Sequence, residues 1–289
     1  MVGSLSDRYL TLDEGLKSGE VVITERSGVN ELTVINKSSR LLLLLAGEVV
    51  VGGKQDRIIG QDVLIPPGGP YPLGVYCVEQ GRWRLGEKGE AFGSAGVMVH
   101  PEARLSAQGG AGQGKVWEEV GSKQRDLGVS SPTGRFQDIF SGAVSQEIQE
   151  AVREVEARFP RGGVVGVIVG MQGRLVWLDL FADAGLFERY RAKLLTSYVL
   201  GAKGKSPKEP QKPITIAEAI AFLRNREGAT QVTYDERGVF CLTRTQGDSF
   251  VFFELGDTTM WPPLTVHAVK MPWSEVKPLR PRLQDRESP

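Results

Sequence analysis

Apolar and polar positions change rhythm along the chain, and each rhythm predicts an element. Thr11 with Glu14 forms a capping box and Gly19 supplies a stop, so a short helix opens the folded region. From about 20 to 80 the texture is that of strands: EVVITE, ELTVIN, LLLLLAGEVVV, RIIGQDVLIP and LGVYCVE. Asn36-Lys37-Ser38-Ser39 and Pro66-Pro67-Gly68-Gly69 supply turns between them. Residues 84–114 carry eight glycines and little periodicity, which predicts irregular structure with short strands such as AGVMVH.

Three- and four-residue steps then take over. KVWEEVGSKQRDL predicts a helix with Val116, Trp117, Val120 and Leu127 inward, and Ile148, Ala151, Val152, Val155 and Phe159 mark a clearer one over 137–158. GVVGVIVGMQGRLVWLDLF reads as a hairpin turning near Met171-Gln172-Gly173. A helix over about 184–200 follows, with Leu186, Phe187, Tyr190, Leu194 and Tyr198 as its stripe. Beyond a lysine- and proline-rich connector, 203–213, Thr215 and Glu218 form a second capping box. Ile216, Ala219, Ile220 and Leu223 are the expected buried face of that helix. Three further strands are expected, turning near Asp235-Glu236-Arg237-Gly238 and Gln246-Gly247-Asp248, with His267 on a strand and a loose polar tail.

The fold class is therefore α+β: an N-terminal antiparallel sheet or sandwich joined to a C-terminal half of hairpins and three to four helices. We expect one composite domain over 10–273, β-rich over about 20–115 and α+β over about 115–273, with 274–289 as tail.

Charge narrows the function classes. Thirty-five basic residues balance thirty-five acidic ones, so no global field draws the chain to nucleic acid or an anionic membrane, and neither partner is expected. The start of the chain lacks the pattern of a secretory signal, and a cytoplasmic location is expected. Cys77 and Cys241 are the only cysteines and His100 and His267 the only histidines, with no metal-ligand spacing among them. Cys77, amid Val75, Tyr76 and Val78, reads as a small core residue rather than a nucleophile. The 188–213 region holds seven basic and two acidic residues, a solvated connector or a dock for a protein partner.

Candidate chemistry concentrates in two stretches. In LLLLLAGEVVVGGKQDR, residues 41–57, the leucines read as a central strand and Gly47 as a bulge before Glu48. A carboxylate there must reach a cleft or meet a cation, since unpaired burial costs several kcal/mol. Lys54 and Arg57 are the nearby cations. Gly52-Gly53 can turn main-chain N–H groups outward beside Lys54, a combination suited to an anion, although the same residues also make a plain hairpin turn. In CVEQGRW, residues 77–83, Arg82 can grip a phosphate or carboxylate and Trp83 can stack on a ring; the alternative is an Arg–Glu pair closing a strand end. Carboxylates at 48, 56, 62 and 79 offer an acid/base pair or a divalent-ion site.

LTLDEGLKSGEVVITE, LLLLLAGEVVVGGKQDR, CVEQGRW, QGKVWEEV with SPTG, and GVVGVIVGMQGRLVWLDLFADAGLFERYRAKLLTSYVLGA occur in this order across about 10–273. Together they resemble the bacterial ARG-and-rhodanese-phosphatase-superfamily-associated protein domain, a family of unknown function. Its polar signatures fall here on Glu48, Gly53, Lys54, Gln55, Arg57, Glu79, Gln80, Arg82 and Trp83, with Gln113, Trp117, Ser131 and Thr133 further on. The resemblance points towards NAD or ADP-ribose metabolism and carries no established catalytic residues. The leading expectation is a phosphate-bearing ligand, such as ADP-ribose or a nicotinamide nucleotide, in a cleft between GGKQDR and EQGRW. Lys54 and Arg82 would meet phosphate, Gln55 and Glu79 would orient hydroxyls or bases, and Trp83 would stack. The alternatives are a hydrolase with Glu48 or Glu79 as general base, and a non-catalytic interaction protein. The cofactor is left unassigned.

Overall fold

The computed structural model describes residues 4–25, 28–85, 89–160, 162–171, 173–204, 212–226, 229–236 and 238–272. Strand β1 (Tyr9–Thr11) leads into α1 (Leu12–Ser18). The Thr11 hydroxyl accepts from the Glu14 N–H, and the Glu14 carboxylate accepts in turn from the Thr11 N–H, while Gly19 closes the helix in the left-handed region. Eight strands follow: β2 (Val21–Glu25), β3 (Glu31–Asn36), β4 (Leu41–Leu44), β5 (Glu48–Gly52), β6 (Arg57–Ile59), β7 (Val63–Ile65), β8 (Gly68–Cys77) and β9 (Phe92–Met98). Helices α2 (Pro101–Gln108), α3 (Gln113–Asp126) and α4 (Gly142–Ala157) lead to the hairpin β10 (Gly166–Met171) and β11 (Arg174–Phe181). After α5 (Ala184–Ala202) and α6 (Ile216–Arg224), the strands β12 (Thr230–Glu236), β13 (Phe240–Gln246), β14 (Phe250–Asp257) and β15 (Leu264–Pro272) complete the described fold.

These strands form three sheets. One is a six-stranded antiparallel sheet, β2-β3-β8-β6-β5-β9, and a second is β10-β11-β15-β14-β13-β12. A three-stranded sheet, β1-β4-β7, takes its strands from before and within the sequence of the first, and in it β1 runs parallel to β4 and β7 antiparallel. The largest apolar cluster joins Leu42 to Leu45 with Phe181, Tyr190, Phe253 and Val269, so both halves of the sequence share a core. The mixed α+β class is as the sequence predicts, although the N-terminal strands divide between two sheets.

Several local expectations differ from the structure. The run 41–51 is not one central strand with a bulge: β4 ends at Leu44, and the chain turns through Leu45-Ala46-Gly47 into another sheet. Gly47 has φ of 88°, and a Cβ there would crowd the stem of Arg104 at 3.1 Å. Residues 84–114 contain α2, where Pro101 occupies the first turn and needs no N–H partner; glycine content hid the helix. The Pro66-Pro67-Gly68-Gly69 stretch already enters β8 at Gly68. The α6 stripe is not buried: Ile216 is 82% and Ile220 43% exposed. Four strands, not three, follow it. Most of the connector, 205–211, and the tail from 273 lie outside the described residues, as do Gln172 and Arg237 of the two predicted turns.

Candidate functional site

Three segments interlock at the end of the N-terminal sheet: the β5–β6 turn at 52–57, the segment after β8 at 79–84, and 131–135 between α3 and α4. Arg82 is the hub. Its Nε donates to Glu79 Oε2 at 2.8 Å, Nη1 to the carbonyls of Gly53 (2.8 Å) and Arg84 (3.1 Å), and Nη2 to Gly52 O (3.3 Å) and Asp56 Oδ1 (3.2 Å). A guanidinium has five N–H bonds to give, and all are engaged within the protein. Arg135 Nε donates to Asp56 Oδ2 at 2.6 Å, and Thr133 Oγ1 to Glu79 Oε1 at 3.2 Å. Burial alone would raise the Glu79 pKa, but the Arg82 hydrogen bond and the Asp56 N–H outweigh it and hold the carboxyl below its ordinary range.

The glycine turn has the outward N–H groups that the sequence suggests, but the protein's own carboxylates receive them. Gly52 N–H donates to Asp56 Oδ1 at 3.2 Å and Lys54 N–H to Glu25 Oε1 at 2.7 Å. Gly53 has φ of 49°, and a Cβ there would run into that same Glu25 oxygen and the Phe92 ring. Arg57 is 1% exposed; its Nη1 donates to Gln55 O at 2.7 Å and its Nη2 lies 3.7 Å from Glu25 Oε1. Gln55 is buried and fixed by donation to Glu79 O at 2.6 Å. Lys54 and Gln80 are exposed at the rim, and Trp83 is 58% exposed.

Glu48 belongs to a separate, deeper network. The two consecutive N–H groups at the 45–46 turn each meet a carboxylate: Leu45 donates to Glu48 Oε2 and Ala46 to Asp62 Oδ1, both at 2.8 Å. Lys193 of α5 donates to Glu48 Oε1 at 2.6 Å and also pairs with Asp13 at 2.8 Å; Asp13 in turn accepts from the Ser94 hydroxyl. Asp62 Oδ2 lies 2.7 Å from His267 Nδ1, and His267 Nε2 lies 3.0 Å from Asp179 Oδ1. Arg104 of α2 grips Asp179 with two parallel bonds of 3.0 and 2.7 Å, and the Tyr198 hydroxyl bonds the same carboxylate.

Electrostatics in this network follow from burial opposed by partners. Burial alone would lower His267, but a carboxylate on each ring nitrogen raises it, which favours the imidazolium with both nitrogens donating. Burial would raise Asp62 and Asp179; His267 and Arg104 overcome it, and both carboxyls lie low. Glu48 goes the other way, because burial there outweighs Lys193.

The predicted residues therefore separate. Gly53, Lys54, Gln55, Arg57, Glu79, Gln80, Arg82 and Trp83 come together in the surface knot, and Glu48 does not join them. Glu48 has a cation partner, as an interior carboxylate must, but it is Lys193 rather than Lys54, Arg57 or Arg82. The four carboxylates proposed for acid/base or metal work divide likewise, Asp56 and Glu79 in the knot and Glu48 and Asp62 in the interior. No group of three metal-holding side chains occurs among the described residues. Ser131 Oγ accepts from the Arg135 N–H within the knot's third segment, and Gln113 supports the knot from outside, bracketing the Cys77 backbone at 2.7 and 2.8 Å. Burial raises the Cys77 thiol, which keeps it protonated as a core residue.

Sequence reading missed Glu25, Arg135, Lys193, Asp179 and Arg104. Asp179 had a signal, a carboxylate inside the apolar strand VWLDLF, the same anomaly that draws attention to Glu48. No described helix is long and apolar enough to cross a membrane.

A family model, the ARG and Rhodanese-Phosphatase-superfamily-associated Protein domain, matches residues 3–271. No curated protein and no solved structure matches the chain.

Proposed function

The chain belongs to the family of ARG and rhodanese-phosphatase-superfamily-associated proteins, and for this member we propose a role in binding a phosphate-bearing small molecule, such as ADP-ribose or a nicotinamide nucleotide, at the rim of the knot. The observation that supports it most is the placement of Trp83. A large aromatic that is 58% exposed follows directly on Arg82, whose every donor is locked, so the backbone that carries the indole is anchored through its neighbour. An exposed ring on such a support offers a stacking platform for a base or nicotinamide, worth about 1–3 kcal/mol per base.

The roles shift relative to the sequence expectation. Arg82 and Glu79 act as the frame, and the groups left to meet ligand are Lys54, Gln80 and Trp83 at the rim with Gln55 and Arg57 beneath them. Titration of ADP-ribose into the protein and its Trp83→Ala variant tests this. Loss of about tenfold or more in affinity with an unchanged melting temperature supports the platform; no heat with the wild type rejects it.

The hydrolase reading has less behind it, since each oxygen of Glu48 and Glu79 already accepts a hydrogen bond. The interaction-protein reading draws on a different observation, the exposed Ile216 and Ile220 on α6.

A further inference from the structure

We propose that the Glu25 carboxylate is a resident gate of the anion pocket built by the Lys54 N–H and the Arg57 guanidinium, and that a ligand phosphate enters by displacing it. This rests on the ligand-binding reading above and adds its regulation.

The pocket is shaped around an oxygen at this position. Glu25 Oε1 receives the Lys54 N–H at 2.7 Å, and a Cβ at Gly53 would run into that oxygen as well as the Phe92 ring. A main-chain N–H beside a left-handed glycine and a cation is the arrangement that receives anions.

Glu25 fills this pocket poorly. Arg57 is among the largest fully buried side chains, yet its one close bond among the described residues is Nη1 to Gln55 O; Nη1 approaches Asp56 O at 3.5 Å, and Glu25 stands off at 3.7 Å from Nη2. Arg57 Nε has no hydrogen-bond partner among the described residues. Buried guanidinium groups ordinarily take two parallel bonds from an oxyanion, and leaving a charged donor unmatched is costly. A phosphate has enough oxygens to meet the Lys54 N–H and Arg57 together. Gln55 adds a buried carbonyl oxygen that is also unpartnered among the described residues, an acceptor for a ligand hydroxyl.

Charge and position agree. With Glu25 in place, Lys54, Arg57, Arg82 and Arg135 stand against Glu25, Asp56 and Glu79. With its carboxylate withdrawn, one negative charge leaves the side of Arg57, and an incoming phosphate restores it. Glu25 is the last residue of β2, where its backbone pairs with Leu32, so its side chain can leave without breaking the ladder.

The test compares wild type with Glu25→Gln, which keeps an acceptor for the Lys54 N–H and removes the competing charge. Inorganic phosphate, pyrophosphate and ADP-ribose are each titrated by calorimetry, with melting curves as a check on folding. The expected result is phosphate and pyrophosphate binding at least about tenfold tighter in the variant, the scale of one charge-assisted hydrogen bond. Equal or weaker phosphate binding by folded variant overturns the gate. Glu25→Asp, whose shorter carboxylate withdraws from the Lys54 N–H, gives the same readout if the glutamine variant fails to fold. Phosphate binding gained without any ADP-ribose binding supports the gate and refutes the ligand assigned above. ADP-ribose bound equally by both proteins supports that ligand and overturns the gate.

Discussion

Lys193 Nζ lies 2.6 Å from Glu48 Oε1, across 145 positions of sequence, with the glutamate side chain wholly buried and the lysine 4% exposed. The contact ties α5 to the turn where the apolar run 41–51 breaks, and it gives the single carboxylate in that run its reason. Removing one partner of a buried pair strands the other charge and typically costs about 3–5 kcal/mol. Lys193→Met is expected to lower unfolding stability by about that amount. Glu48→Gln costs less, because the amide still accepts from Lys193. In urea unfolding, the double variant should be more stable than the sum of the single losses implies; strict additivity would show the two groups to be uncoupled.

His267 sets a pH dependence of known sign. Its folded pKa lies above the ordinary 6.5, so its contribution is complete below pH 6.5 and is lost as pH rises towards the folded value. Asp62 and Asp179, held low, contribute above the ordinary carboxylate range and lose that contribution only in acid. Lys270 acts oppositely at higher pH: burial pushes its amine down to about 8, and stability tied to it rises from there towards its ordinary 10.5. Between pH 6.5 and about 8 the histidine therefore lowers stability as pH rises, and Glu48, held high by burial, acts with the same sign. Wild-type denaturation midpoints are expected to fall across that window, and those of His267→Gln to fall less. Parallel slopes in the two proteins would remove His267 from the account.

Arg82→Ala should damage the fold before it damages recognition. The substitution takes five hydrogen bonds from the knot and removes the cation between Asp56 and Glu79. Stability is expected to drop by about 3 kcal/mol or more, with affinity lost as a consequence of disorder. Arg82→Lys keeps a charge but not the fork, and should recover less than half of the loss. A stable Arg82→Ala protein that has lost only binding would return Arg82 to the role of ligand contact.

Local chemistry was legible wherever neighbours in sequence decide it. Thr11 and Glu14, Thr215 and Glu218, and the 166–181 hairpin all form as their patterns predict, because caps and short turns close over three or four residues. Neighbouring strands made a convergence of GGKQDR with EQGRW plausible but left it to geometry, which joins Arg57, Glu79 and Arg82 and sets Glu48 apart. The partners of the interior carboxylates Glu48 and Asp62 were not legible. Lys193 and His267 arrive from elements more than a hundred residues away, and nothing in a strand pattern specifies which distant cation will answer a buried carboxylate. The exposed face of α6 marks the opposite limit. Ile216, Ala219, Ile220 and Leu223 have the spacing of a buried stripe, yet the helix meets the sheet through Phe222, Leu223 and the Lys270 bonds to its last carbonyls.

The central claim is that the knot of 52–57, 79–84 and 131–135 serves as a ligand site with Trp83 as its platform. Calorimetric titration of ADP-ribose into wild type and Trp83→Ala, at matched melting temperature, tests it most directly. The account predicts saturable one-site binding by the wild type and a loss of about tenfold or more in the variant, the scale of one lost stacking contact. Absence of binding by the folded wild type, or equal affinity in both proteins, would contradict it.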